Sequence, residues 1–200
     1  MKKSILIPIL AILLCAALLL GASALTAGMY QENARELHLK DLQTLLPGAT
    51  EFTLEPYDGE DANIISVHKA DIGYVIETNS YGYAGPITVL VGVNKDGKVT
   101  GIVVRDLQET PGLGAKALTD ADFLAQFLNT TGNVSIATSG ADAFSSATQK
   151  TGEESAAEEV YVDGLTGATV TSKAIARSVN SAVAFVTGAD VATKATEWGK

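Results

Sequence analysis

The sequence predicts an α+β fold: an antiparallel sheet with helices, preceded by a single apolar N-terminal helix. Three observations predict it. The β-branched runs Ile87–Val93 and Val99–Val104 flank Asn94-Lys95-Asp96-Gly97-Lys98, a strong hairpin signal. Near the C-terminus Ile175, Val179, Val183 and Val186 recur at three- and four-residue spacing, which gives a helix one apolar face. At the other end, Ile5–Met29 contains no charged residue.

As a helix, Ile5–Met29 would be about 37 Å long at 1.5 Å per residue, enough to cross a hydrocarbon core of about 30 Å. Lys2 and Lys3 precede the run and the first acid, Glu32, follows it, so the positive-inside rule keeps the N-terminus cytoplasmic. Residues 1–30 are therefore expected to be a cytoplasmic N-terminus and transmembrane anchor, and 31–200 one extracytoplasmic domain. The competing reading is a cleaved signal peptide, since Ala22-Ser23-Ala24 fits a small-x-small cleavage site. Lipoprotein processing at Cys15 is disfavoured because Leu14 stands where a small residue is needed.

Tyr30–Leu46 reads as helix, ended by Pro47-Gly48. Short strands are expected at Ile64–Val67 and Tyr74–Glu77, punctuated by Gly73 and the Asn79–Gly82 cluster, ahead of the hairpin. Thr119–Leu128 reads as a short helix capped by Thr119, with Phe123 and Phe127 four apart. Residues 138–159 are rich in Ala, Ser, Thr and Gly, end in paired glutamates, and read as a flexible, solvated insertion. Val160-Tyr161-Val162 is then a strand, and the helix bearing Ile175 closes the domain.

Composition removes several function classes. A chain with 46% hydrophobic and 18% charged residues is not intrinsically disordered, and a mean hydropathy of +0.20 directs attention to a membrane segment. The net charge of −9 includes the two lysines of the N-terminus, so the exported part is acidic and offers no cationic face to nucleic acid. One cysteine permits neither an intrachain disulfide nor a cysteine-based metal cluster, and His38 and His68 lack the spacing of a metal site. Gly92-x4-Gly97-Lys98 fails as a phosphate-binding loop, because Val99 replaces the hydroxyl residue and the segment is a hairpin. Gly112-Leu113-Gly114 lacks the third glycine of a dinucleotide fingerprint, and no nucleophile elbow is present. No catalytic residue and no metal ligand is assigned.

Two segments carry the functional argument. Asp163-Gly164-Leu165-Thr166-Gly167-Ala168-Thr169-Val170-Thr171-Ser172 is a small, hydroxyl-rich loop running into a helix start. Such an end presents unpaired N–H groups and partial positive charge, which suits a phosphate, although an ordinary helix cap uses the same residue types. In Glu109-Thr110-Pro111-Gly112-Leu113-Gly114, Pro111-Gly112 predicts a type II turn, with Gly112 at positive φ.

Asp-x-x-Thr-Gly-Ala-Thr followed by Thr171-Ser172 resembles the flavinylation motif of the extracytoplasmic FMN-binding domain. That domain occurs in the G-type member of Rnf-type electron-transport complexes and in the C-type member of sodium-translocating NADH:quinone oxidoreductases. The Glu109–Gly114 segment resembles the matching segment of the Rnf protein, and Tyr83-Ala84-Gly85-Pro86-Ile87 is also similar to the family. The resemblance implies FMN joined by a phosphoester bond to Thr169, with Asp163, Thr166, Gly167, Ala168, Thr171 and Ser172 as its context. It also implies Glu109, Thr110, Pro111, Gly112, Leu113 and Gly114 as part of the cofactor site, and attachment by a separate flavin transferase. One departure stands out: Leu107 occupies the position of a histidine usual in the Rnf family, so no role of that histidine carries over.

The resemblance further implies a single-pass protein of the bacterial cell membrane, partnered by the bilayer and the other membrane subunits of an Rnf-type complex. There it would relay electrons while the complex couples ferredoxin and NAD chemistry to sodium or proton translocation, as an electron-transfer component rather than an enzyme by itself. Three alternatives remain open at this point: a C-type component of a quinone reductase, a stand-alone extracytoplasmic FMN shuttle, and an anchored binding domain with no cofactor.

Overall fold

The computed structural model describes residues 12, 14–21, 32, 35–137 and 160–188. Two units separate, Met1–Asp41 and Leu42–Lys200. In the first, residues 14–21 and 35–41 are helical. Among the described residues no helix is long and apolar enough to cross a membrane; much of Ile5–Met29 and the 138–159 insertion lie outside them.

The second unit is built on a five-stranded antiparallel meander. Its strands are β1 (Thr53–Glu55), β2 (Ile64–Lys69), β3 (Gly73–Tyr81), β4 (Pro86–Asn94) and β5 (Val99–Leu107), in that spatial order. The predicted α+β class is therefore borne out, and so is the β4–β5 hairpin. Asn94 closes it by accepting from the backbone N–H groups of Asp96 (3.0 Å) and Lys98 (2.9 Å), while Gly97 takes φ +76°.

Period-two alternation sends side chains to two cores. Ile76 on β3 and Ile87, Val89, Val91 and Val93 on β4 face one core. Val75 and Leu90 face the other, under Leu42, Leu45 and Leu46 from the end of the N-terminal helical segment. That segment stops where expected, at Pro47 and a Gly48 of φ +101°. Gly92 and Gly101 are cross-strand partners beneath Leu45. A Cβ on Gly92 would lie 2.6 Å from the Leu45 carbonyl oxygen, and Thr100 Oγ1 donates to that same oxygen at 2.5 Å. The glycine pair is thus a packing notch, which accounts for Gly92 without any phosphate.

The opposite core is closed by a 3-10 helix (Gly114–Leu118), the short helix Ala121–Ala125, and the long terminal helix Thr169–Thr187. The short helix differs from expectation at both ends. Asp120, not Thr119, caps it, accepting from Phe123 N–H at 3.1 Å, and the chain after Ala125 turns rather than continuing as helix. Phe123 and Phe127 still meet edge-on, with centroids 5.3 Å apart.

Strand β3 runs four residues past its expected end because the hydroxyls of Thr78 and Ser80 find partners inside the fold. Thr78 Oγ1 donates to the Val89 carbonyl at 3.1 Å, and Ser80 shares a buried 2.8 Å hydrogen bond with Ser178 of the terminal helix. Asn63 donates to Ser181 at 3.2 Å. Small buried residues (Ala174, Ser178, Ser181, Ala182) let this helix lie close on β3 and β4, with Ile175, Val179 and Val183 filling the core between. A left-handed Gly188, φ +65°, ends it.

A second sheet pairs β6 (Val134–Ala137) with β7 (Val160–Asp163) in parallel. Parallel neighbours need a crossover of about a dozen residues or more, so 138–159 forms the connection between two paired strands. Asn180 ties this sheet to the terminal helix, accepting from Val134 N–H at 2.8 Å and donating to its carbonyl at 3.0 Å.

Gly92→Ala should lower unfolding stability by about 1–3 kcal/mol, because its methyl group must displace the Leu45 backbone. Chemical denaturation of Gly92→Ala against wild type measures this.

Candidate functional site

The two motif segments meet although about fifty positions separate them in the sequence. A cavity of about 440 Å³ is lined by Glu109, Thr110, Leu113 and Gly114 from one, and by Gly167, Ala168, Thr169, Val170 and Thr171 from the other, together with Tyr83. That volume lies within the roughly 300–1,000 Å³ range of small-molecule sites.

Two tight turns shape it. In the first, Leu113 N–H donates to Thr110 O at 3.2 Å across Pro111 and Gly112, and Gly112 has φ +82°, the positive value expected of a type II turn. In the second, Ala168 N–H donates to Leu165 O at 2.9 Å across Thr166 and Gly167, with Gly167 at φ +80°. The turns touch: a Cβ on Gly167 would stand 3.3 Å from Leu113 Cδ2. Glycine is needed there twice over, for the backbone and for the approach.

Glu109 fixes a third wall. Its Oε1 accepts from the backbone N–H groups of Tyr83 at 2.7 Å and Ala84 at 3.2 Å, charge-assisted bonds that pin the β3–β4 turn against the Thr110–Leu113 turn. Arg177 supports the same turn from the terminal helix, Nη2 donating to Tyr81 O at 2.7 Å. Burial pushes the Arg177 guanidinium below its usual value.

The terminal helix begins in the cavity without a protein cap. Ala168 is its N-cap residue, no side chain caps it, and its first turn holds no acid. Thr169 is accordingly the first helical residue rather than a cap, half-buried and lining the cavity. Ser172 N–H makes the first intrahelical bond, 2.9 Å to Ala168 O, so the N–H groups of Thr169, Val170 and Thr171 have no backbone partner among the described residues. An uncapped helix start carries partial positive charge and free donors, the chemistry that a phosphate monoester or diester satisfies. Gly114 and Gly167 leave space that any Cβ would reduce. The residues present thus fit a phosphate-bearing ligand with a bulky body.

Not every expected site residue lines the cavity. Pro111 and Gly112 form the turn behind it. Thr166 sits in the second turn. Ser172 is fully buried and latches loop to helix, its Oγ accepting from Leu165 N–H at 3.1 Å and donating to Ala168 O at 3.0 Å. Asp163 ends β7, its backbone held by Gln126, which accepts from Asp163 N–H at 2.9 Å. Conversely, Tyr83 lines the cavity although sequence reasoning does not make it a site residue; its segment resembles the family, and only the Glu109 contact brings it to the site. Among the described residues no group of His, Cys, Asp or Glu could hold a metal ion.

Comparison with known proteins agrees with this geometry. The FMN-binding domain family matches residues 82–184, which contain the cavity's whole lining. The G component of the proton-translocating ferredoxin:NAD(+) oxidoreductase complex of Clostridium ljungdahlii is 38% identical over 58% of this chain and 54% of its own length. This chain therefore spans about half of that relative. The G component of the Na(+)-translocating ferredoxin:NAD(+) oxidoreductase complex of Acetobacterium woodii is 30% identical over 79% of this chain and 78% of that protein. The G component of an ion-translocating oxidoreductase complex of Methanosarcina acetivorans is 30% identical over 82% and 87%. Among solved structures, the C component of the Na(+)-translocating NADH-quinone reductase of Parabacteroides distasonis is similar with a TM-score of 0.47 and 21% identity, over 68% of this chain and 74% of that one. With the family matched over half of the chain and two of the relatives over most of it, this protein belongs to the FMN-binding domain family.

Proposed function

We propose that this chain is the G-type component of an ion-translocating ferredoxin:NAD oxidoreductase complex, and that it carries FMN covalently on Thr169. The observation that carries the reading is the uncapped start of the terminal helix, with Thr169 lining the same cavity as the Glu109–Gly114 turn. The names of the relatives support the assignment to that complex rather than to a stand-alone shuttle.

FMN supplies one- and two-electron redox chemistry when bound; the protein's part is attachment, position and exclusion of water. Thr169 supplies the attaching oxygen. Its Oγ1 would attack the FMN phosphorus of FAD, forming an O–P bond as the P–O bond to AMP breaks, the hydroxyl proton leaving with the released products. A separate flavin transferase would provide the metal ion that neutralises the developing charge. The N–H groups of Thr169, Val170 and Thr171 would then hold the phosphodiester. Leu113, Val170 and Tyr83 offer apolar surface to a flat ring, which accounts for three large side chains left 50%, 45% and 78% exposed beside the cavity. Relay of electrons requires no acid–base pair.

The proposed topology follows the sequence: residues 1–30 a cytoplasmic N-terminus and membrane anchor, and 31–200 an extracytoplasmic domain in a bacterial membrane. Covalent attachment has an evident use there, because a dissociated cofactor would be lost from the cell. The lipid bilayer and the other members of the complex are then permanent partners, and the transferase is a transient one.

Thr169→Ala should abolish covalent flavin and cost little stability, because Thr169 is not the residue that caps the helix. Thr166→Ala and Thr171→Ala should retain at least partial labelling. Peptide mass mapping after coexpression with a flavin transferase reads this directly; full labelling of Thr169→Ala would remove the proposed attachment. Intact mass of the membrane-purified protein should show the N-terminal segment retained, whereas a mature N-terminus at Leu25 would replace the anchor with a cleaved signal.

A further inference from the structure

The terminal helix carries two cations that no described residue neutralises. Lys173 and Arg177 stand four apart, so their side chains leave the same face, where like charges repel. Lys173 is exposed and Arg177 half-buried, and neither forms an ion pair with a described residue. Arg177 donates to Tyr81 O at 2.7 Å, a single bond for a head with several N–H donors. A partly desolvated cation without a counter-charge destabilises a fold unless an anion arrives from elsewhere. The sequence has 23 acidic side chains against 14 of Lys and Arg, yet no described acid is set against this pair. Tyr81 completes the patch. Arg177 holds its carbonyl, and its side chain is left 73% exposed. Glu109 ties the next residues of the turn, Tyr83 and Ala84, so the ring is offered from a backbone fixed on both sides. None of Tyr81, Lys173 and Arg177 lines the cavity.

Charge and side-chain type select the occupant. Exposed tyrosine and arginine on rigid backbone are the residues that dominate protein–protein interfaces. The two cations ask for carboxylates, and a guanidinium fork takes one through two parallel bonds. An extended anionic surface, such as a nucleic acid or an acidic lipid layer, would face the whole chain of net charge −9 and be repelled broadly. A protein segment can set a few carboxylates on this patch alone. We infer that Lys173, Arg177 and Tyr81 form a docking patch for an acidic segment of a partner protein, a carboxylate meeting Arg177 and an apolar part covering the Tyr81 ring. Val170, three residues before Lys173 on the same helix face, lines the cavity together with Tyr83. A partner seated on the patch would therefore stand beside the cavity mouth. The inference goes beyond the flavin reading and needs no flavin for its test.

The test titrates the full-length chain, purified in detergent without flavin, with a fluorescein-labelled hexaglutamate peptide and reads anisotropy. Wild type should bind the peptide despite its own net negative charge. Arg177→Gln should weaken binding by about tenfold, the loss of a hydrogen bond to a charged group. The exposed Lys173→Gln, which leaves the fold intact, should weaken it by about threefold. Arg177→Lys, which keeps the charge and loses the fork, should fall between wild type and Arg177→Gln. The double variant Lys95→Gln, Lys98→Gln at the β4–β5 hairpin removes twice the charge of either single change and should leave binding as it was. A carbodiimide, which condenses a carboxyl with an amine, should then join the bound peptide to Lys173 in peptide mass maps. No binding by wild type, an equal loss in the hairpin variant, or a cross-link away from Lys173 would overturn the patch. So would Lys173 joined, without peptide, to the chain's own acids at 153–159, which would make the occupant internal. Displacement by short-chain phosphatidylglycerol as effective as by unlabelled peptide would assign the cations to a lipid headgroup instead. Each of these failures leaves the attachment at Thr169 untouched.

Discussion

The seating of the terminal helix on the sheet is the constraint on which the site depends. Its inner face packs Ile175, Val179 and Val183 into the core, and the serines between them meet polar partners at fixed heights: Ser178 with Ser80, and Ser181 with Asn63. Asn180 adds a paired contact with the Val134 backbone. Each bond is modest in net stability, but misplacing the helix would leave several buried polar groups without partners at once. The axial position of Thr169, at the start of that helix, follows from these contacts.

The remaining walls are positioned by similar economy. Glu109 joins the β3–β4 turn to the turn containing Pro111, so one carboxylate sets the separation of two loops. Ser172 does the same for the loop and the helix that follows it. Residues that look like part of the cofactor site therefore divide into those that line the cavity and those that hold the lining in place. Ser172, Gly112 and Thr166 belong to the second group, and Thr169, Thr171, Leu113 and Gly114 to the first.

Much of this is legible in the sequence where the signal is local. The Asn94–Lys98 hairpin, the Pro111-Gly112 turn and the apolar stripe of the terminal helix each depend on residues close together in the chain, and each is where expected. The tail of β3 is hidden because Thr78, Asn79 and Ser80 have turn-forming composition, and only the partners Val89 and Ser178 make them strand. The parallel β6–β7 pair is hidden for a related reason: Val134–Ala137 is short, and its partner lies beyond 138–159. Asp120 takes the helix cap from Thr119 because the helix begins one residue later than its composition suggests. Tyr83 escapes a reading of the sequence because a single contact, from a glutamate on another turn, brings it to the cavity.

The central claim is that one cavity, between the Thr110–Leu113 turn and the start of the terminal helix, holds a flavin through its phosphate. A crystal structure of the flavinylated chain tests it most directly. The account predicts density continuous from Thr169 Oγ1 through a phosphate at the N–H groups of Thr169–Thr171, with the ring among Leu113, Val170 and Tyr83. A flavin joined to the chain elsewhere, or a phosphate at Thr169 with the remaining density turned away from this cavity, would contradict it.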